Sequence, residues 1–176
     1  SIYLMIAASG LAWFFKSTYF YLIGWITCVG ISYTVGFQIQ NYLAGISIGE
    51  DERFSGYLTG ENMIGEIVQM DMTFRWDFLA YSAIGVLVGF YFIFRKNFKD
   101  EYYQWIYNTY LVTNATWVLI IRAAYSNRFA QISWFILPIV LIYPFFKKRF
   151  WTNHEKVLGY AILFFYAFTF YYNIWK

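Results

Sequence analysis

The stretch Asp77-Phe-Leu-Ala-Tyr-Ser-Ala-Ile-Gly-Val-Leu-Val-Gly-Phe-Tyr-Phe-Ile-Phe94 decides the fold class. Its only charged residue is the first, and the basic pair Arg95 and Lys96 follows it directly. A helix rises about 1.5 Å per residue, and the hydrocarbon core of a bilayer is roughly 30 Å thick. An apolar run of this length therefore predicts a membrane-spanning helix over 77–94.

Five further apolar stretches lie on either side of this one, and they cover residues 1–15, 18–37, 103–122, 131–146 and 157–175. Hydrophobic residues make up 60% of the chain and charged residues only 13%. This share of charge is about half that of a soluble globular chain, and the composition excludes disorder. It also argues against a soluble domain, because a core this small cannot hide so much apolar surface. The predicted fold class is all-α, a polytopic α-helical membrane protein with about six transmembrane helices in a single membrane domain over 1–176.

Basic residues predict the orientation of these spans. Lys16, the Arg95-Lys96-Lys99 cluster and the Lys147-Lys148-Arg149 cluster fall on one side if the six spans alternate. Short loops rich in Lys and Arg stay in the cytoplasm, so this side is predicted to be cytoplasmic. The segment 38–76, which holds most of the acidic residues, then becomes one long extracytoplasmic loop.

Several classes of site and partner are disfavoured by the sequence. A single cysteine, Cys28, excludes an internal disulfide and a multi-cysteine metal site. The net charge of +3 comes from scattered residues and does not indicate nucleic acid as a partner. His154 has no second histidine beside it and is interpreted as a surface residue, so no metal and no cofactor are predicted. The chain starts at Ser1 in the middle of an apolar run, so we expect a fragment of a longer protein.

Two arginines stand on the predicted outer side, where positive charge is not favoured. Arg122 follows the apolar run 117–121 directly, and Arg128 precedes the next span. The planar guanidinium suits phosphate, so one interpretation is a membrane-edge pocket for a diphosphate. Six residues on one helix would turn the two side chains about 240° apart, so convergence requires a break, for which Ser126-Asn127 is suited. The alternative is two interfacial arginines that snorkel or pair with the acidic loop.

Two further residues are candidates for the same pocket. Arg75 is a third outward cation, although a salt bridge with the acidic loop would also explain it. Asn114 lies eight residues before Arg122, so on one helix the two would face within roughly 80° of each other. Polar side chains in this span either line a cavity or bond to neighbouring helices, and the second explanation is the commoner one.

The predicted outer loop carries three carboxylates that could act as a general base towards a sugar hydroxyl: Glu61, Glu66 and Asp71. Apolar residues between 63 and 68 suggest a short amphipathic helix on the membrane face, with these carboxylates on or near its polar side. The alternative is a solvated loop face. Asp77, at the start of the third span, fits a helix N-cap.

Several stretches taken together resemble one protein family. They are Phe74-Arg-Trp-Asp-Phe-Leu-Ala-Tyr-Ser-Ala83, Tyr107-Asn-Thr-Tyr-Leu-Val-Thr-Asn114, Ile121-Arg122 and Tyr125-Ser-Asn-Arg-Phe-Ala-Gln-Ile-Ser-Trp134. In order and spacing they resemble the EpsG family, which is common in gut-type Bacteroidetes, over most of residues 50–146. Members of that family are considerably longer, in agreement with a C-terminal fragment.

The resemblance implies a protein similar to Wzy-type polysaccharide polymerases of the bacterial cytoplasmic (inner) membrane. Such a glycosyltransferase would join undecaprenyl-diphosphate-linked oligosaccharide repeat units into exopolysaccharide, capsule or O-antigen at the outer face of that membrane. Its expected partners are the undecaprenyl-diphosphate-linked glycan, membrane lipid and other polysaccharide-assembly proteins. Arg122 and Arg128 would then be candidates for binding the lipid diphosphate.

The alternative is a non-enzymatic membrane protein, either a lipid-linked glycan transporter or a structural subunit of a polysaccharide synthesis complex. A transporter is expected to carry charges near the bilayer midplane and to have broken helices there. The strong charges of this chain lie at the edges of the predicted spans, which favours chemistry at the outer face. Pro138 and Pro144 weaken that distinction, since they could kink the fifth span.

Overall fold

The chain is all-α. A computed structural model describes residues 2–47, 73–123 and 125–175, and these form six α-helices without a β-strand. The helices are α1 (Ile2–Phe14), α2 (Thr18–Ser47), α3 (Trp76–Phe90), α4 (Glu101–Leu119), α5 (Ser126–Lys147) and α6 (His154–Trp175). A π-helical turn, Tyr91–Arg95, extends α3. Each helix overlaps one of the six apolar stretches of the sequence.

Three of these helices are long and apolar enough to cross a membrane: α2 over Thr18–Ile39, α3 with its π-helical turn over Trp76–Arg95, and α5 over Ser126–Lys147. Large apolar side chains cover the outside of the bundle. Phe14 is 81% exposed and Phe146 is 79% exposed. An apolar outer surface of this kind fits a lipid environment rather than water.

Helix α4 is the centre of the bundle, because it packs against α1, α2, α3 and α5. It is also the most polar of the predicted spans, and its polar residues Asn108, Thr109, Thr113 and Asn114 are buried. These side chains are enclosed by the bundle; the two threonine hydroxyls donate to carbonyls of α4 itself, and Asn114 bonds to neighbouring helices. Helix α6 lies at the edge, where it contacts α5.

Tyrosines of α4 fix its position by bonding to main-chain carbonyls of its neighbours. The Tyr107 hydroxyl donates to Val86 O (2.7 Å), and the Tyr110 hydroxyl donates to Ser82 O (2.6 Å), both on α3. Glycines on α3 provide the space. A Cβ at Gly85 would lie 2.7 Å from Tyr110 Cζ, and a Cβ at Gly89 would collide with the Tyr107 ring. The small residues of α3 and the large residues of α4 thus form one interlocked interface.

The three basic loops meet at one end of the bundle, here called the basic end. Lys16 Nζ is 3.6 Å from Glu101 Oε1, which joins the loop after α1 to the start of α4. Lys96 Nζ lies 5.0 Å from the centroid of the Trp151 ring, which joins the loop after α3 to the loop after α5. This arrangement agrees with the predicted grouping of the basic clusters on one side.

His154 differs from its predicted surface position. It is buried, and its Nε2 is 2.8 Å from Phe145 O, while Phe150 N donates to its Nδ1 (3.4 Å). The ring also packs against Phe145 and Trp151. The interpretation as an exposed residue was wrong because these aromatic neighbours fold back over the start of α6.

Several helix boundaries also differ from those in the sequence-based prediction. Helix α2 continues beyond residue 37 to Ser47, so the first part of the predicted loop 38–76 is helical. Helix α4 ends at Leu119, and α5 starts at Ser126 rather than at 131. Pro138 and Pro144 lie inside α5, which remains one helix through both.

Candidate functional site

The end opposite the basic loops is formed by residues 73–75, the turn at 120–123 and 125, and the first turn of α5, and is here called the arginine end. A cluster of apolar residues holds these segments together: Phe74, Phe78, Leu79, Trp117, Val118, Ile121 and Ala130. The cluster joins the start of α3 to the end of α4 and the start of α5. Arg75, Arg122 and Arg128 all belong to segments at this end.

Arg122 lies in the turn that follows α4. Its neighbours Ile121 and Ala123 are buried, so the backbone on both sides of Arg122 is fixed in the bundle. The turn is closed by main-chain hydrogen bonds, among them Ala123 N to Ile120 O (2.9 Å) and Ser126 N to Ala123 O (3.0 Å). The Arg122 side chain is half-buried, and its guanidinium carbon lies 5.5 Å from the Phe74 ring centroid.

No carboxylate among residues 2–47, 73–123 and 125–175 lies within ion-pair distance of the Arg122 guanidinium. A cation–π contact with Phe74 orients the guanidinium plane but does not neutralise it. Arg122 therefore combines a rigid backbone, partial burial and a guanidinium that can take an anionic ligand.

Arg75 is bound to its own neighbour. Its Nε donates to Asp77 Oδ1 (3.0 Å) and its Nη2 to Asp77 Oδ2 (2.8 Å), and its guanidinium carbon lies 3.8 Å from the Phe78 ring centroid. The predicted N-cap role of Asp77 is wrong, since Arg75 occupies the N-cap position of α3 and no side chain caps it. Asp77 is in the first turn, where its charge still favours the helix dipole. The bidentate pair makes Arg75 a weaker anion ligand than Arg122.

Arg128 is exposed in the first turn of α5, and its guanidinium carbon lies 5.3 Å from the Tyr125 ring centroid. Its backbone N–H donates to Asn127 Oδ1 (2.9 Å). The predicted break between the two arginines exists, but it lies at residues 120–123 and 125 and not at Ser126-Asn127, which begin α5. Arg122 and Arg128 are thus on a turn and on a helix, and the 240° separation on one helix does not apply.

Asn114 is fully buried, and both ends of its amide are bonded. Its Oδ1 accepts from Trp25 Nε1 of α2 (2.7 Å), and its Nδ2 donates to Ser133 Oγ of α5 (3.1 Å). The sequence analysis gave two explanations for Asn114, diphosphate binding and hydrogen bonding between helices. These contacts correspond to the second explanation. Since Arg122 lies beyond the end of α4, the expected common helix face of the two residues does not exist.

The three predicted carboxylates, Glu61, Glu66 and Asp71, lie outside the described residues, as does the predicted amphipathic helix between 63 and 68. Sequence reasoning missed Phe74 as the aromatic partner of Arg122, and it missed Trp25 and Ser133 as partners of Asn114. Phe74 directly precedes Arg75 and could have been suspected as an interfacial aromatic. Trp25 and Ser133 carry no local signal, because they meet Asn114 only after the helices pack.

No family model, no curated protein sequence and no solved structure matches this chain. The resemblance to the EpsG family is therefore carried only by the motifs quoted above. The geometry of the arginine end provides the structural basis for a proposal about function.

Proposed function

We propose that this chain is part of a multi-pass protein of the bacterial cytoplasmic membrane that polymerises undecaprenyl-diphosphate-linked oligosaccharide repeat units. In this proposal all six helices cross or enter the membrane, with the basic end in the cytoplasm and the arginine end at the outer face. The apolar outer surface of the bundle and the grouping of the basic loops support this orientation.

The observation that carries the proposal is the position of Arg122. It is a half-buried guanidinium on a fixed turn, at the end of the bundle opposite the basic loops, with an aromatic contact and no carboxylate partner among the described residues. A cation placed against the topology bias requires an anionic partner. The diphosphate of a lipid-linked glycan at the membrane surface is a partner of the right charge and depth.

The proposed chemistry is a glycosyl transfer between two lipid-linked units. The bond between the anomeric carbon of the growing chain and its diphosphate breaks, and a new bond forms from that carbon to a hydroxyl oxygen of the incoming unit. The hydroxyl proton passes to a carboxylate, for which Glu61, Glu66 and Asp71 are the candidates. Undecaprenyl diphosphate leaves as an anion, and Arg122 and Arg128 stabilise its developing charge.

The test compares charge-conserving variants of the full-length gene in its bacterial host. Arg122→Lys and Arg128→Lys keep the positive charge but remove the planar fork that binds two phosphate oxygens. We expect long surface polysaccharide to fall about 100-fold, with single repeat units accumulating, because removing one preorganised donor at a developing charge costs about that factor. Electrophoretic ladders of surface polysaccharide measure the effect.

The matched control is Arg149→Lys, an exposed arginine at the basic end whose Nη2 is 3.5 Å from Glu155 Oε1. It should leave the ladder unchanged at equal protein level. A normal ladder in both Arg122→Ala and Arg128→Ala would contradict the proposed diphosphate site. If the protein were a transporter, the defective variants would instead leave lipid-linked units on the cytoplasmic side. An assay of the flipping of radiolabelled units in vesicles detects this outcome.

A further inference from the structure

A cavity of about 160 Å³ opens at the basic end, between α1 and the start of α4. Its lining includes Trp13, Lys16, Glu101, Gln104, Trp105 and Asn108. The Trp13 and Trp105 rings meet edge to face with their centroids 6.1 Å apart, and Trp105 Nε1 donates to Ser9 O (3.0 Å). This hydrogen bond holds the Trp105 ring in place, so the wall of the cavity is preformed.

Asn108 is the deepest polar residue of this lining. It is 1% exposed, and neither its Nδ2 nor its Oδ1 has a hydrogen-bond partner among the described residues. An unpaired buried amide is costly, and native proteins keep such groups when a water or a ligand satisfies them. Because Asn108 lines the cavity, a molecule inside the cavity can supply the missing acceptor for Nδ2.

The mouth of the cavity carries one charge of each sign. Lys16 and Glu101 form a pair at 3.6 Å, and their side chains are 70% and 84% exposed. Such a solvated pair contributes little to stability, so each member can exchange its partner for a charged group of a ligand. Asn108 follows Glu101 by seven residues, which corresponds to roughly 10 Å along the helix. This distance is comparable with the extended length of a phosphoethanolamine group joined to glycerol.

We propose that this cavity binds a zwitterionic phospholipid with a primary ammonium headgroup. The ammonium binds Glu101, the phosphate binds Lys16, and an ester oxygen of the glycerol accepts from Asn108 Nδ2. The two tryptophans lie at the level where indole rings prefer the membrane interface. The acyl chains continue along the exposed apolar side of α1, where Leu11 and Phe14 face outward. An anionic headgroup without an ammonium would leave Glu101 unpaired.

The test measures which lipids remain on the purified full-length protein. The protein is reconstituted in nanodiscs of equal parts palmitoyl-oleoyl phosphatidylethanolamine, phosphatidylcholine and phosphatidylglycerol, and retained lipids are counted by native mass spectrometry. We expect the wild type to retain the ethanolamine lipid preferentially. Glu101→Gln should lower that preference about fivefold, as expected for the loss of one charge-assisted hydrogen bond at an exposed site.

The matched control is Glu155→Gln, which breaks the equally exposed pair between Arg149 and Glu155 at the same end. It makes the same change in net charge and should leave the lipid preference unchanged. Equal losses in Glu101→Gln and Glu155→Gln, or no loss in Glu101→Gln, would overturn the proposal. Both substitutions are on exposed side chains, so folding is not at risk.

A second arm separates a lipid from a soluble ligand with the same headgroup chemistry. Soluble phosphoethanolamine is added to the nanodisc-derived complex at the concentration of the lipid. We expect no displacement, because the acyl chains hold the lipid at the site. Displacement at that concentration would show that the cavity serves a soluble phosphoamine, and the phospholipid proposal would fail. The site is at the end opposite the proposed diphosphate site, so its test is independent of polymerase activity.

Discussion

Asn108 and Asn114 are the same residue type on the same helix, and both are buried, yet their surroundings are opposite. Asn114 bonds through both ends of its amide to Trp25 and Ser133, on two other helices. The side-chain amide of Asn108 has no hydrogen-bond partner among the described residues, and the residue lines a cavity. Six residues on an α-helix correspond to a rotation of about 240°, so the two amides face different neighbours.

The comparison teaches that a polar residue in an apolar helix has to be interpreted by its partners and not by its type. A satisfied amide specifies how helices pack, because it has the right geometry for one set of neighbours. An unsatisfied amide beside open space contributes little to packing and is available to a ligand. The same sequence signal, asparagine in an apolar helix, thus has a packing role at Asn114, whereas at Asn108 it has the binding role that we propose.

The largest effect is expected for Asn114→Leu. The substitution removes both interhelical hydrogen bonds and leaves the Trp25 indole N–H without its acceptor. We expect the free energy of unfolding to fall by about 2 kcal/mol, since each such bond is worth about 1 kcal/mol in a membrane protein and the buried donor is left unpaired. Reversible unfolding in mixed micelles measures the change. Asn41→Leu, at an exposed position of α2, is the control and should have little effect.

Ser133→Ala sharpens the comparison by removing one of the two partners of Asn114. Its hydroxyl accepts from Asn114 Nδ2 and donates to Ala130 O (2.9 Å) within its own helix. We expect a loss of about 1 kcal/mol, roughly half the loss in Asn114→Leu, because the bond to Trp25 remains. The same unfolding assay applies. If the double variant loses as much as the sum of the single variants, Asn114 and Ser133 are not coupled.

The smallest effect on stability is expected for Asn108→Leu. Leucine has a similar size and removes an amide that has no partner among the described residues, so the free energy of unfolding should stay within about 0.5 kcal/mol or rise. A loss as large as that in Asn114→Leu would contradict the contrast between the two asparagines. It would mean that a bonded water or another group already satisfies the Asn108 amide.

The sequence predicted the all-α class and the approximate positions of the helices, because a long run of apolar residues directly indicates a helix in an apolar environment. It also placed the basic loops at one end, since the alternation of spans follows from counting them. The break between Arg122 and Arg128 was expected for a geometric reason and was found, but at residues 120–123 and 125. Its location depends on how Ile121 packs into the apolar cluster, which local residue preference does not encode.

The candidate site was less accessible to sequence reasoning. Arg122 was identified from its position against the topology bias, whereas its contact with Phe74 joins two segments far apart in the chain. The pairing of Arg75 with Asp77 was missed because the acidic loop offered many other partners. The cavity beside Asn108 could not be predicted at all, since it arises from the distance between α1 and α4.

The central position of α4 also has a consequence for the biogenesis of the protein. Helix α4 is not among the helices that are long and apolar enough to cross a membrane by themselves, and it buries the polar side chains of Asn108, Thr109, Thr113 and Asn114. In the membrane orientation that we propose, its polar side chains gain little from lipid during synthesis and much from packing against other helices. The order of the chain suits this need in part, because α1, α2 and α3 precede α4, whereas Ser133, a partner of Asn114, lies on α5 and follows it. Insertion of α4 then depends on its packing against other helices of the bundle and not on contact with lipid alone.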